Sequence, residues 1–462
     1  MPAEPTPTED TPRPDPNAAP PPDPRVAMRN LLLSGGYPKI LVAALLLGVP
    51  IAFASFFFVS FEHWLQNKVW NDLPDAVGYD RAPWWWPLPA LLLAGLILAP
   101  IVTRMPGRGG HIPVHGLSGG PPIGPREVTS VVLAALATLP LGVVLGPEAP
   151  LMGLGSGLAL LVLAAARNPG GPKAAALLGT AGSTAAISTI LGGPIVAAIM
   201  VVEAAGLGGT ALTALLLPCL IATGAGAVVF TGFGEWTGLS TGGLSLPSVP
   251  PNATPDAGDF LWGIPVAVVI AAVVGGAHRL GLPVARWTAV NTASRTIACA
   301  VAAGVCITAY AVVTGRNPEE AALSGQIELG QLAANPHALS VGTLIALVLF
   351  KALAWGICLG SLRGGPIFPS LLLGAALGLA FSGLPGFGTT PALALGIATG
   401  CVVVTGLPLT SAVLATLLMG SDSSSQAPLI VISAVIGFIA TRIAPPPKPT
   451  PEPAKTEAPA RA

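Results

Sequence analysis

The stretch "LGPEAPLMGLG", Leu145 to Gly155, places a carboxylate, Glu148, between two prolines in a very apolar chain. A second stretch, "RGGPIFPSLLLG", Arg363 to Gly374, repeats its frame: Gly-Pro-x-x-Pro, four residues, then Gly. Pro147 and Pro150 match Pro366 and Pro369 at an offset of 219 positions, and only the first copy carries an acid.

The surroundings of both stretches are membrane-grade. Of 462 residues, 52% are hydrophobic and only 9% charged, against roughly 25% charged in an ordinary soluble protein. Between Val128 and Val202 the charges are Glu148, Arg167 and Lys173. Between Ser340 and Ser421 they are Lys351 and Arg363. Such segments cannot face water and read as membrane-spanning or membrane-buried helices. The zero net charge gives no reason to expect nucleic acid. The five cysteines all lie in apolar segments and read as small buried hydrophobes, not as disulfide or metal ligands. No cofactor is expected.

Several apolar segments fall short of the roughly 20 residues a full span needs, and Gly-Pro pairs interrupt many of them. Short, broken segments in matching places of two halves suggest a transporter built from internal repeats. A second anchor supports this: "GGPIVAA" at 192–198 resembles "GLPLTSA" at 406–412, with Pro194 and Pro408 offset by 214. The expected organisation is a Pro-rich disordered tail at 1–27, a first membrane half at 28–235, a linker at 236–260, a second half at 261–444 and a second Pro-rich tail at 445–462. No cleavable signal peptide is visible. The segment 62–81 is mostly acidic, whereas 104–127 holds Arg104, Arg108 and Arg126 against Glu127. Because Lys and Arg prefer the cytoplasmic side, the tails and the 104–127 loop are expected inside, with Trp84, Trp85 and Trp86 at the outer headgroup level.

Proline is at home in the first turn of a helix, so each frame is expected to start a helix at its second proline. A helix start presents free N–H groups and the positive end of a dipole, and within a bilayer an anion fills that site. Two such starts, one from each half, can converge on one anion near the midplane. Small residues at helical spacing, Gly153 and Gly157, then Gly374 and Gly378, are expected to let helices pack closely. Glu148 then reads as a tethered anion. Ionised, it fills the site. Protonated or displaced, it swings away, which makes it a gate and a proton carrier.

These residues resemble the CLC family of chloride channels and chloride/proton exchangers. Three short loops carry the likeness, in family order. Gly-Ser-Gly-Ile-Pro corresponds to Gly109, Gly110, His111, Ile112 and Pro113; Gly-Lys/Arg-Glu-Gly-Pro to Gly146, Pro147, Glu148, Ala149 and Pro150; and Gly-x-Phe-x-Pro to Gly365, Pro366, Ile367, Phe368 and Pro369. The resemblance covers about 28 to 444. It implies an all-α polytopic membrane protein of CLC type, an inverted internal repeat with broken, re-entrant helices, and a homodimer with one pore per subunit in the lipid of a bacterial inner (cell) membrane. The cargo implied is an anion of chloride type, moved by a channel or by a proton-coupled exchanger. No CBS pair is expected after the membrane part.

The departures bear on anion identity. The serine of the first loop is Gly110, a backbone donor of the third loop falls at Pro366, which has no N–H, and the last tyrosine, Tyr310, comes too early to serve. The N–H groups of Ile367 and Phe368 are the candidates to replace them. Nitrate and fluoride stay open as cargo, although the fluoride-exporting branch favours Asn in the first loop. The inner proton acceptor of many family exchangers falls at Ala204, which leaves Glu203 as its substitute. A transport-inactive scaffold is another reading. "GLSG", Gly116 to Gly119, fits an intramembrane serine protease, but the later histidines, His278 and His337, lie at or beyond segment ends. His111 and His115 read as loop-lining residues with no metal between them.

Overall fold

A computed structural model of the chain describes residues 23–116, 123–165, 171–237 and 254–443, with the single residues 246 and 249. The tails before 23 and after 443, most of the 236–260 linker and Leu117 to Gly119 of "GLSG" lie outside these. The first half contains α1 (Pro24–Leu33), α2 (Tyr37–Asn67), α3 (Leu73–Ala76), α4 (Pro87–Arg104), α5 (Val128–Thr138), α6 (Glu148–Ala165), α7 (Gly171–Ile187), α8 (Pro194–Ala205) and α9 (Gly209–Thr237). The second contains α10 (Ala257–Val290), α11 (Thr292–Thr314), α12 (Gln326–Ala334), α13 (Val341–Ser361), α14 (Ile367–Phe381), α15 (Thr389–Thr405), α16 (Pro408–Leu418) and α17 (Ser423–Ile443). Eight helices among the described residues are long and apolar enough to cross a membrane, and five shorter apolar ones accompany them. The protein is an integral membrane protein.

Two boundaries move. Helix α1 starts at Pro24, inside the segment expected to be tail, because the Asp23 side chain accepts the Arg25 N–H and Pro24 takes the first helical position. Helix α10 starts at Ala257, four residues before the expected second half. There Asp256 and Asp259 form a reciprocal capping box. Asp259 also accepts the Gly388 N–H at 2.7 Å, which ties this start to that of α15. The three tryptophans do not share one environment either. Trp84 is exposed, whereas Trp86 is buried and donates to the Val69 carbonyl at 3.1 Å.

The duplication is visible in how helices touch. Without a hydrophobic force between them, membrane helices associate where small residues let backbones approach. A Cβ on Gly155 of α6 would lie 2.1 Å from the Gly182 carbonyl of α7, and one on Gly182 would lie 2.4 Å from the Gly155 carbonyl. In the second half, a Cβ on Gly374 of α14 would lie 2.1 Å from the Gly396 carbonyl of α15, and one on Gly396 would lie 2.4 Å from the Gly374 carbonyl. Gly155 and Gly374 are 219 apart, and Gly182 and Gly396 are 214 apart, which repeats both offsets of the proline frames. Gly153 and Gly157 let another helix pack closely, as expected: a Cβ on Gly153 would lie 3.0 Å from Val131 and one on Gly157 2.6 Å from Val128, both of α5.

The halves are joined by an antiparallel bridge between the matched residues Gly146 and Gly365. Gly146 N–H donates to the Gly365 carbonyl at 2.8 Å, and Gly365 N–H to the Gly146 carbonyl at 2.5 Å. An antiparallel contact between corresponding residues requires a pseudo-two-fold axis between them, so the two halves run in opposite senses. Trp70 supports the first strand of this contact. It is fully buried, donates to the Pro140 carbonyl at 3.1 Å, and lies where a Cβ on Gly142 would be only 2.4 Å from its ring.

The backbone contact between α14 and α15 sets a packing test. Gly396→Val would force these helices apart, and overpacking of this kind costs about 3 kcal/mol or more. The detergent-solubilised variant should therefore melt well below the parent. Gly276→Ala on α10, where no heavy atom lies within 4 Å of the added carbon, should melt within a few degrees of it.

Candidate functional site

Both proline frames start helices inside the protein, but each helix begins two residues earlier than its second proline. Helix α6 starts at Glu148 and α14 at Ile367, so Pro150 and Pro369 occupy the third helical position. The reason is that none of the first four N–H groups of a helix has an intrahelical acceptor, so proline fits anywhere in the first turn.

Glu148 is the first residue of α6 and is fully buried. Its carboxylate does not serve its own helix alone. Oε1 accepts the Phe368 N–H of α14 at 2.7 Å, a contact between residues 220 positions apart. The acid of one half thus occupies the helix start of the other, where the free N–H groups and the dipole favour negative charge. Its second oxygen, Oε2, is buried and has no hydrogen-bond partner among the described residues. Two glycines make the room. A Cβ on Gly365 would lie 1.8 Å from Oε2, and one on Gly146 would lie 2.3 Å from it. The dock therefore consists of the glycine bridge and the first turn of α14, where Phe368, one of the two residues expected to offer an N–H to the anion, donates to the carboxylate. Pro366, without an N–H, stands just ahead of α14.

The first loop is built differently. Pro113 opens only a three-residue turn, Pro113–His115, and Ile112 precedes it in an extended conformation. The Gly109 N–H is taken by the Ser130 hydroxyl at 3.2 Å and the Gly110 N–H by the Gly107 carbonyl at 2.8 Å, so neither is free for an anion. Gly110 has φ 92°, a conformation that L-residues rarely adopt, so a serine hydroxyl could be restored there only with strain. Tyr310, as expected, stays outside the site: its hydroxyl donates to Glu320. Lys351 is buried elsewhere, donating to the carbonyls of Glu320 at 3.1 Å and Ala322 at 2.6 Å.

A cavity of about 860 Å³ leads to the dock. Gly109, Gly110, Ala149, Pro150, Gly364 and Pro366 line it, and so do Glu203, Arg442 and Phe438. It also receives His111, His115 and His278, so the histidines of the first loop are indeed lining residues. His278 sits on α10 against Trp355, ring centroids 6.0 Å apart, and its Nε2 is buried without a hydrogen bond among the described residues. That the histidine of α10 meets those of the first loop was not legible from sequence, since the two segments are far apart along the chain.

Glu203 repeats the logic of Glu148 on a smaller scale. It lies in the last turn of α8 and crosses to the start of α16. Its Oε1 accepts the Leu409 N–H at 2.8 Å, and its Oε2 accepts the Thr410 N–H and hydroxyl, both at 2.7 Å. Helices α8 and α16 start at the second pair of matched prolines, Pro194 and Pro408. Both acids singled out by sequence therefore dock on helix starts of the opposite half.

Because the dock depends on two missing side chains, Gly365→Ala should expel the Glu148 carboxylate and raise anion efflux from liposomes to the level of Glu148→Ala. In a Glu148→Ala background the same change should add little. Equal, independent effects in both backgrounds would show that the glycine acts through something other than the carboxylate.

Comparison with known proteins bears on the family and the fold. The family model described as voltage gated chloride channel matches residues 111–442. The chain is 27% identical over 320 residues, 68% of its own length and 72% of theirs, to proteins of Escherichia coli O139:H28 and Shigella boydii serotype 4 that both carry the name "Putative ion-transport protein YfeO". Among solved structures, a CLC-type fluoride/proton antiporter superposes with TM-score 0.66 at 18% identity, covering 87% of this chain and 95% of that one. A slow cyanobacterial Cl-/H+ antiporter superposes with TM-score 0.69 at 16% identity, covering 88% and 94%. The two structural likenesses establish the fold, and the family match, which spans most of the chain, establishes kinship: this protein belongs to the CLC family, that of the voltage gated chloride channels.

Proposed function

We propose that the chain carries a small inorganic anion, of chloride type, across the membrane through a path within each subunit, and that Glu148 is its gate. The observation that carries this reading is the hydrogen bond from the Phe368 N–H to Glu148 Oε1. A carboxylate that occupies the helix start of the opposite half holds the place a free anion would take. Its second oxygen gains no hydrogen bond there, so the dock holds it less firmly than full solvation would. Protonation removes the charge that the helix start attracts. Displacement by a free anion substitutes one charge for another. Either event opens the path.

Exchange for protons is the mode favoured here over a simple channel, because two structures with this fold are those of antiporters that move protons. Glu148 is the acid that can carry a proton at the gate. Glu203 is the only acid among the described residues that line the vestibule, so it is the group placed to pass protons to that side. The working assembly is a homodimer in a bacterial cell membrane, with the vestibule and both termini on the cytoplasmic side, as the arginines of the 104–127 loop favour.

Efflux from proteoliposomes, with internal pH recorded, tests the gate. Wild-type efflux should rise as pH falls, because protonation frees the dock. Glu148→Gln and Glu148→Ala should change the flux strongly and abolish that pH response. A wild-type pH response in both variants would remove Glu148 from the gate. Glu203→Gln should stop anion-driven proton movement while anion flux persists, and undiminished proton movement would assign the proton to another group.

A further inference from the structure

Three spans end around a second cavity. Helix α2 continues through a single π-helical turn into α3, which ends at Ala76, while α4 begins at Pro87 and α11 ends at Thr314. The cavity between these ends holds about 850 Å³. Tyr79, Asp80, Arg81 and Trp84 of the connecting loop line it, together with Val312 of α11 and Arg316 just beyond that helix. It shares no lining residue with the vestibule that leads to Glu148.

Its charged groups are not equally engaged. Arg316 donates through Nε, at 2.8 and 3.1 Å, and through Nη2, at 2.8 Å, to the Glu320 carboxylate, which neutralises it. Among the described residues neither Asp80 nor Arg81 forms an ion pair or a side-chain hydrogen bond, with each other or with any third group. Both are exposed. The cavity therefore offers one free cation and one free anion. Helix α11 ends at the same place, and the negative end of its dipole favours a positive group there.

One wall of the cavity is apolar and faces outward. Val312 is 61% exposed, and Val305, two turns earlier on the same face of α11, is exposed as well. Helix α4 packs closely on α11: a Cβ on Gly95 would lie 2.9 Å from the Ile297 Cα, and one on Gly304 would lie 3.2 Å from the Pro87 carbonyl. Beside that contact α4 exposes Leu92 and Leu96. Trp84, 56% exposed, stands at the cavity with its indole placed as indoles are at the headgroup level. Opposite charges that open onto a lipid-facing wall suit a molecule that is zwitterionic at one end and apolar at the other.

We infer that this cavity binds a zwitterionic glycerophospholipid from the leaflet on the Trp84 side. Arg81 takes its phosphate, whose oxygens match the donor fork of a guanidinium. Asp80 and the end of α11 take its ammonium, and an acyl chain runs along the exposed face of α11 towards Val305. The site stands apart from the transport reading and holds whichever anion the protein carries.

The test uses the full-length protein, delipidated in detergent and titrated with phosphatidylethanolamine or phosphatidylglycerol, with the tightest-bound lipid followed by native mass spectrometry. Wild type should hold phosphatidylethanolamine about fivefold more tightly than phosphatidylglycerol, which lacks the ammonium, in line with one exposed ion pair. Arg81→Gln should weaken both lipids by about the same factor. Asp80→Asn should weaken phosphatidylethanolamine alone and so erase the preference. Asp75→Asn, on the same side of the protein but outside the cavity lining, should change neither, which separates the site from general surface charge. The substituted residues are exposed, so each variant should melt with the parent. Equal binding of the two lipids by wild type, or a preference that survives both cavity variants, would overturn the inference. Glycerophosphoethanolamine, the same head without chains, and inorganic phosphate separate lipid from soluble ligand. Neither should displace the lipid at the lipid's own concentration, and displacement by either would assign the cavity to a soluble phosphate compound instead.

Discussion

Two glycine backbones, Gly146 and Gly365, hydrogen-bond to each other between the halves, and the site is arranged around that contact. Each glycine immediately precedes a helix-starting frame, so pairing them brings the starts of α6 and α14 together about a pseudo-two-fold axis. Neither can carry a side chain, because the Glu148 carboxylate fills the space where a Cβ would stand. Close backbone approach, an acid at a helix start and opposed helix dipoles are thus one constraint seen three times. The constraint reaches outward through Trp70, which packs under Gly142, and through Thr138, which holds the Arg363 carbonyl.

The same device recurs at the second pair of matched prolines. Glu203 leaves α8 and caps α16, as Glu148 leaves α6 and docks on α14. In each case an acid of the first half satisfies orphan N–H groups of the second. This suits a protein whose helices begin inside the bilayer, where an unpaired N–H finds no water. It also makes the two acids unlike in kind. Glu203 has a hydrogen bond for each oxygen, whereas Glu148 has one for Oε1 alone. The less completely satisfied acid is the one better suited to leave.

Charge is distributed unevenly around the path. Among the described residues the vestibule wall carries histidines and Arg442, and its one acid, Glu203, is engaged on the start of α16. The family's usual donors in the first loop are absent here. At the start of α14 the Phe368 N–H is held by the Glu148 carboxylate.

Much of this was legible in the sequence, for local reasons. Hydropathy marks the segments that must leave water, and Gly-Pro pairs mark where helices break. Offsets of 219 and 214 exposed the duplication, and the close-packed glycines of α6, α7, α14 and α15 later repeated both. A lone acid at such a break was enough to single out Glu148. What the sequence could not show is which helix start Glu148 serves, or that the first-loop N–H groups are already taken. Those depend on contacts between residues up to 220 positions apart, made only when the two halves close about their axis. Solvation and backbone stereochemistry act residue by residue and can be read along the chain. The electrostatic partner of a buried group is decided by what the packed halves bring within hydrogen-bond reach, and in this protein only the tertiary structure decides that.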